Sequence, residues 1–277
     1  MKKSWKSFKG TIKKSIDIMS LPYMAILPGQ MSFFILLSII PVVALTMLLA
    51  IKFSINTNYI IDFVVNYFPK SVSPIILRIM NTDSIKVNQI VFLISAFFLA
   101  SNTTHAIIVA SSTIYNAGRR NYLRTRIKAI LMIFILVALF TFTLFGIGLG
   151  ETIITNFRKV LPSDIFYYIN ISYTIIRIPI SFLVLFVAIK LIYTIAPNRN
   201  IKSSTVNRGA LFTTIMWLLA TWAYSYYATN VLNWSLFYGT MANVIILMFW
   251  IYFLSYIFVF GMTINEHRLT EQERSIN

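Results

Sequence analysis

The 277-residue chain is 58% hydrophobic and 12% charged, with a mean hydropathy of +0.76 and a formal net charge of +16. Soluble domains carry about 25% charged residues, so composition excludes an ordinary globular protein and leads to the expectation of a polytopic membrane protein. There is no cysteine, which excludes disulfides and thiolate metal centres, and the positive charge is read as basic loops beside membrane spans rather than a nucleic-acid surface.

Residues 2–20 read as a basic amphipathic helix. Trp5, Phe8, Ile12, Ile16 and Met19 recur every three or four residues and make one apolar stripe, with six lysines and Asp17 supplying the charge. Such a helix lies in the headgroup region, its lysines drawn to anionic lipid. Leu21–Pro22 and Pro28–Gly29 are expected to break it. The first span follows at about residues 30–53, kinked near Pro41. Residues 54–88 are apolar in short pieces only. Asp62, Pro69, Lys70, Pro74, Arg78 and Lys86 interrupt them, which suits interfacial helices or a re-entrant hairpin.

The second span is predicted at about residues 89–112, with Ser95, Asn102, His105 and Ser112 on one helical face. Asn and His at membrane depth face protein or water, not lipid. A basic loop with Arg119, Arg120, Arg124, Arg126 and Lys128 leads to the third span, about 127–150, which ends in Gly146-x-x-x-Gly150, read as ordinary helix packing. The fourth span, about 171–196, holds Arg177 and Pro179 near its start and Lys190 near its end. Residues 205–268 are the most prominent stretch. They form a hairpin of two apolar runs, about 209–230 and 239–264, joined by an uncharged turn. The C-terminal tail, EHRLTEQERSIN, is polar and short.

The fold class is therefore all-α integral membrane: six transmembrane helices in a single domain over residues 1–277, preceded by the amphipathic helix. Even span number puts both termini on one side. Lys and Arg test this independently: sixteen fall on the side of the termini and five on the other. The positive-inside rule then makes both termini cytoplasmic.

Several segments, in order, resemble the YihY/BrkB family of integral membrane proteins, often mislabelled ribonuclease BN. MSFFILLSIIPVVAL (31–45) is similar to its first-span pattern, with Ser38 and Pro41 in place. ASSTIY (110–115) resembles its A-L-N-x-x-Y segment through Tyr115, with Ser112 where the family has Asn. APNRNIK (196–202) resembles L-P-N-R through Pro197 and Asn198. Residues 238–261 match most closely, through Tyr238, Gly239, Trp250, Tyr252 and Gly261. The closing G-x-E-x-N becomes Gly261-Met262-Thr263-Ile264-Asn265, so the acidic position holds Thr263, with Glu266 one turn on. The resemblance implies a six-helix protein of the bacterial cytoplasmic membrane and does not settle its activity.

The residues argue against the nuclease label. Of the eight acidic side chains none lies in mid-span, and the two histidines, His105 and His267, sit on different spans. Metal-dependent hydrolysis needs clustered carboxylates or His, and no Walker pattern is present. The expectation is no enzyme and no cofactor. What remains is a polar path through the bundle, with candidates Asn102, His105, Arg177, Thr214, Thr221, Tyr224 and Asn243; Thr214, Trp217, Thr221 and Tyr224 share a face. Each alone fits interhelical bonding or aromatic packing as well. The expected function is a transporter or lipid translocator for an amphipathic or anionic substrate, the alternative a non-transporting scaffold. The expected partners are membrane lipids with anionic headgroups and no nucleic acid, with self-association left open.

Overall fold

The structure is a computed structural model that describes residues 2–52, 61, 65, 87–118, 121–139, 162–230 and 241–274. Among these residues every regular element is an α-helix and none is a strand. The elements are α1 (Lys2–Met19), α2 (Pro22–Lys52), α3 (Val87–Ile114), α4 (residues 122–139), α5 (Ser163–Ile195), α6 (Asn207–Asn230) and α7 (Met241–Arg274). The segment 54–88, apart from Ile61, Val65 and the start of α3, lies outside the described residues. So do Gly146, Gly150, Tyr238 and Gly239.

Several helix boundaries differ from the sequence expectation: α7 runs on to Arg274, beyond residue 264, and α2 and α5 begin early. The chain breaks at Ser20–Leu21, and α2 then runs unbroken through Pro28 and Pro41. Pro22 opens α2 at the first position, where a missing N–H removes nothing. Pro28 lies nearly two turns further in, and the packed bundle holds the helix through it. α5 likewise begins at Ser163 rather than near 171, straight after Pro162, and carries Pro179 inside it.

α7 is the hub. It packs against α1, α2, α3 and α6, while α2 lies along α3 and α5 along α6. Its stretch Ile245–Thr270 spans 26 residues at mean hydropathy 2.2 and, among the described residues, is the one helix that is long and apolar enough by itself to cross a membrane. Tyr193, Met24, Met31, Ile108, Phe258 and Met262 are buried where the helices meet. The outward faces are equally apolar. Ile127, Leu131 and Phe134 on α4, Ile175, Ile176 and Leu183 on α5, and Leu218, Leu219 and Trp222 on α6 are all exposed. A soluble protein rarely leaves apolar patches so continuous, whereas a helix facing lipid does. α1 departs from a helix lying wholly free in the headgroups. Ser15 and Met19 are buried at its C-terminal end, while Lys13, Lys14 and Ile16 stay exposed.

The α6–α7 contact is set by two glycines. A methyl placed on Gly209 collides with the Gly261 carbonyl and the Asn265 amide, and one on Gly261 collides with the Thr213 and Tyr193 hydroxyls. Only backbone fits at this crossing. Gly10, on α1, has nothing within 4 Å of the same position. In an exposed helix, Gly→Ala gains up to about 1 kcal/mol of helix propensity. At Gly209 and Gly261 overpacking reverses the sign, at about 1–3 kcal/mol. Gly209→Ala and Gly261→Ala should therefore lower the thermal midpoint in detergent while Gly10→Ala holds or raises it. Equal behaviour of all three would refute the close crossing.

Candidate functional site

Helix ends leave backbone groups without intrahelical partners, and in lipid these must be met by protein. At the end of the bundle that carries the basic loops, other helices meet them. Lys128 Nζ donates to the carbonyl oxygens of Ala196 (2.9 Å) and Pro197 (2.7 Å), completing the C-terminus of α5 with a cation where the helix dipole favours one. Asn265 Oδ1 on α7 accepts from the Gly209 N–H at 2.7 Å, in the first turn of α6. The Asn198 N–H donates to Ser112 Oγ at 3.2 Å, tying the α5–α6 connection to α3. Thr104 Oγ1 donates to the Ala129 carbonyl at 2.7 Å, tying α3 to α4.

Arg126, early in α4, is only 9% exposed. Its Nη1 donates to Asn102 Oδ1 (2.7 Å) and its Nη2 to the Phe98 carbonyl (3.2 Å), and the guanidinium lies 4.0 Å from the centre of the Phe98 ring. Its Nε has no partner. Among the described residues no carboxylate reaches it.

Deeper in the bundle, Tyr193 Oη donates to the Phe258 carbonyl (2.7 Å). Having one hydrogen, it must then accept from Thr213 Oγ1, also at 2.7 Å. Trp217 Nε1 donates to the Leu254 carbonyl at 2.9 Å. These bonds fasten α5, α6 and α7 together. The Tyr115 hydroxyl is buried near Asn265. Burial pushes its phenol well above the ordinary range; the Asn265 amide opposes that rise and Glu266 adds to it. Thr263 is fully buried and donates to the Phe260 carbonyl, whereas Glu266 is half-buried and accepts from Thr270 Oγ1 at 2.8 Å. Glu266 thus occupies a different environment from the acidic position of the family motif.

Two cavities flank α3. One, about 460 Å³, is lined by apolar side chains of α2 to α7, among them Ile107, Leu185, Ile189 and Phe258; Ser38, Thr103, Ser181, Trp217 and Ser255 give its few polar groups. The other, about 610 Å³, lies between α3, the start of α4 and the α5–α6 connection. It is lined by His105, Ser112, Thr113, Asn116, Tyr122, Thr125 and Asn198. Thr103 and Ile107 face the first and His105 and Ser112 the second, which the 100° helical step requires.

The sequence candidates divide accordingly. His105 lines the polar cavity and packs edge-on to Tyr122 at 6.1 Å. Asn102, one turn away, holds Arg126. Thr214 is buried and bonds back to the Ala210 carbonyl. Thr221 is exposed. Tyr224 stacks on Trp250 at 5.0 Å. Of the family-motif positions, Ser38 lines the apolar cavity, and Gly261 and Asn265 make the α6–α7 contact. Pro197 and Asn198 form the end of α5. The side chains of Pro41, Arg177 and Asn243 lie outside the described residues, although their backbones are helical. Arg126, Lys128 and Tyr193 were not singled out from the sequence. Arg126 and Lys128 stood in a basic loop and were counted as topology signals. The available clue was that the apolar run of α4 begins directly beside them.

Among the described residues, no three His, Asp or Glu side chains gather to hold a metal ion. Long helices with apolar exteriors and polar groups paired between helices define an α-helical membrane protein. The chain belongs to the BrkB family: the sequence profile described as virulence factor BrkB matches residues 25–276. It is 27% identical over 245 residues to the ribonuclease-like protein YfkH of Bacillus subtilis (strain 168), covering 86% of this chain and 87% of that protein. It is 26% identical over 184 residues to the UPF0761 membrane protein MS0032 of Mannheimia succiniciproducens, covering 65% of this chain and 59% of that one. No solved structure matches the chain.

A buried ion held by neutral partners sets an asymmetry. Removing Arg126 removes charge and bonds together, whereas removing Asn102 leaves the charge buried with a hydrogen-bond partner lost, the costlier case at about 1–3 kcal/mol or more. Asn102→Ala should lower the thermal midpoint more than Arg126→Met. The reverse order would contradict this account of the pair.

Proposed function

We propose that this protein is a multi-pass protein of the bacterial cytoplasmic membrane, with six spans and both termini in the cytoplasm, that moves an amphipathic, lipid-like substrate. The observation that carries the reading is the cavity of about 460 Å³ among α2 to α7: apolar, with scattered hydroxyls. A strongly hydrated solute gains little from such walls, and an acyl chain gains about 0.8 kcal/mol for each methylene it buries there. Thr103 Oγ1 and Ser255 Oγ, on residues of its wall, are buried without a hydrogen-bond partner. The sequence candidate His105 lines the separate polar cavity on the other side of α3 and is not part of this path.

A second reading, a non-transporting scaffold, is favoured by the internal pairing of Asn102 with Arg126 and of Thr214 with its own helix. The ribonuclease reading ranks last, since among the described residues no set of His, Asp or Glu gathers to carry the chemistry.

In liposomes holding a trace of fluorescently tagged phospholipid, the protein should expose inner-leaflet label to external dithionite. Ala188→Trp, on the cavity wall, should abolish this, while Leu219→Trp, on the exposed face of α6, should leave it intact. Proteoliposomes that match empty liposomes for anionic and zwitterionic lipids alike would remove the transport reading in favour of the scaffold.

A further inference from the structure

The apolar stripe of α1 reads, in sequence, as a side that enters lipid. The structure gives that side another partner. α1 packs against α7 and touches α2. Ser15 and Met19 are buried, Ile12 and Ile18 are half-buried, and Met19 joins the core of the bundle. The stripe is thus largely taken up by protein contact, and α1 turns a different face outward. Lys13 and Lys14 are exposed, and so is Ile16, at 55%.

The helical step carries this face back toward the start of α1. Lys2, Lys6, Lys9 and Lys13 follow one another at intervals of four, three and four residues. Their four positions fall roughly 120 to 180° round the helix from Ser15, opposite the docked side. The row is about 17 Å long. Over residues 2–20 there are six lysines and one acid, Asp17.

Charge alone would suit RNA, an acidic protein or a lipid surface. The apolar neighbours decide between them. Ile16 lies one turn from Lys13, and Leu21 and Ile26, across the bend between α1 and α2, are exposed as well. A nucleic-acid backbone or a solvated acidic chain gives these side chains little to bury against. The headgroup boundary takes isoleucine and leucine while it pairs lysine with lipid phosphate. Position agrees with chemistry. Only Ser20 and Leu21 separate α1 from α2, a long apolar helix, so α1 stays at the surface that α2 enters.

We propose that the outward face of α1 binds anionic phospholipid. Lys13, Lys14 and the row back to Lys2 supply the charge, Ile16 enters the headgroup boundary, and Ser15 and Met19 hold the helix on the bundle. The face gathers acidic headgroups beside α2 and α7. The proposal rests on the membrane location and not on the transport reading.

The chain has no cysteine, so Ile16→Cys carries a single fluorophore. The labelled full-length protein is placed in phosphatidylcholine nanodiscs, into which phosphatidylglycerol or phosphatidylcholine, spin-labelled on the acyl chain near the headgroup, is titrated. Half-maximal quenching should need about fivefold less of the anionic lipid, the factor that one lysine supplies near an anionic surface. Lys13→Gln/Lys14→Gln should remove most of that preference. High salt should do the same, because it screens exposed charges. Arg124→Gln/Lys202→Gln, which removes two exposed cations on other segments, should leave the preference in place. Equal quenching by the two lipids before any lysine is changed, or equal loss in both double variants, would overturn the proposal. Quenching by neither lipid would put the face in water and overturn it in favour of a soluble acidic partner. An intact preference in a protein that moves no lipid would strike the transport reading alone.

Discussion

The hydrogen bond from the Gly209 N–H to Asn265 Oδ1 shows the constraint under which this bundle is built. A helix cannot complete its own ends, and lipid offers nothing to complete them. α7 therefore carries a side chain to the first turn of α6, and α4 carries Lys128 to the last carbonyls of α5. Each such bond needs two helices at one separation and rotation. The Gly209–Gly261 crossing sets the first of these, since a side chain on either glycine would push Asn265 out of reach.

The same economy explains why the motif segments occur where they do. The segments at 110–115, 196–202 and 261–265 are far apart in sequence, yet they converge. Ser112 meets Asn198, Tyr115 lies beside Asn265, and Gly261 and Asn265 both meet Gly209. Their residue types follow from those contacts: a small residue where backbones touch, an amide where a lone N–H must be met, and a proline where a helix ends. The polar cavity lies at the edge of this convergence and the apolar cavity inside the bundle, so the two differ in chemistry while sharing α3 as a wall.

Much of the fold was legible from hydropathy. The helices at 89–112, 171–196 and 209–230 lie within α3, α5 and α6 or end within a residue of them, because a long apolar run has one stable form in lipid. Boundaries at proline were less legible. Pro28 looks like a stop in the sequence, but its neighbours hold α2 through it. The site was legible in part. His105 and Asn102 stood out because polar residues at membrane depth need a reason. What they touch was hidden, because Arg126 reads as one more charge in a basic loop until α4 folds back along α3. Thr214 shows the opposite failure: its hydroxyl bonds to its own helix, which residue type alone does not reveal.

The proposed topology sets the polar cavity and the basic rim on the cytoplasmic side of a six-span bundle. The chain has no cysteine, so single cysteines placed on the exposed residues Ser20, Arg124 and Lys202 report on three separate segments of that rim. A membrane-impermeant maleimide should label all three in inside-out vesicles and none in intact cells. Labelling of any one from outside intact cells would contradict the arrangement.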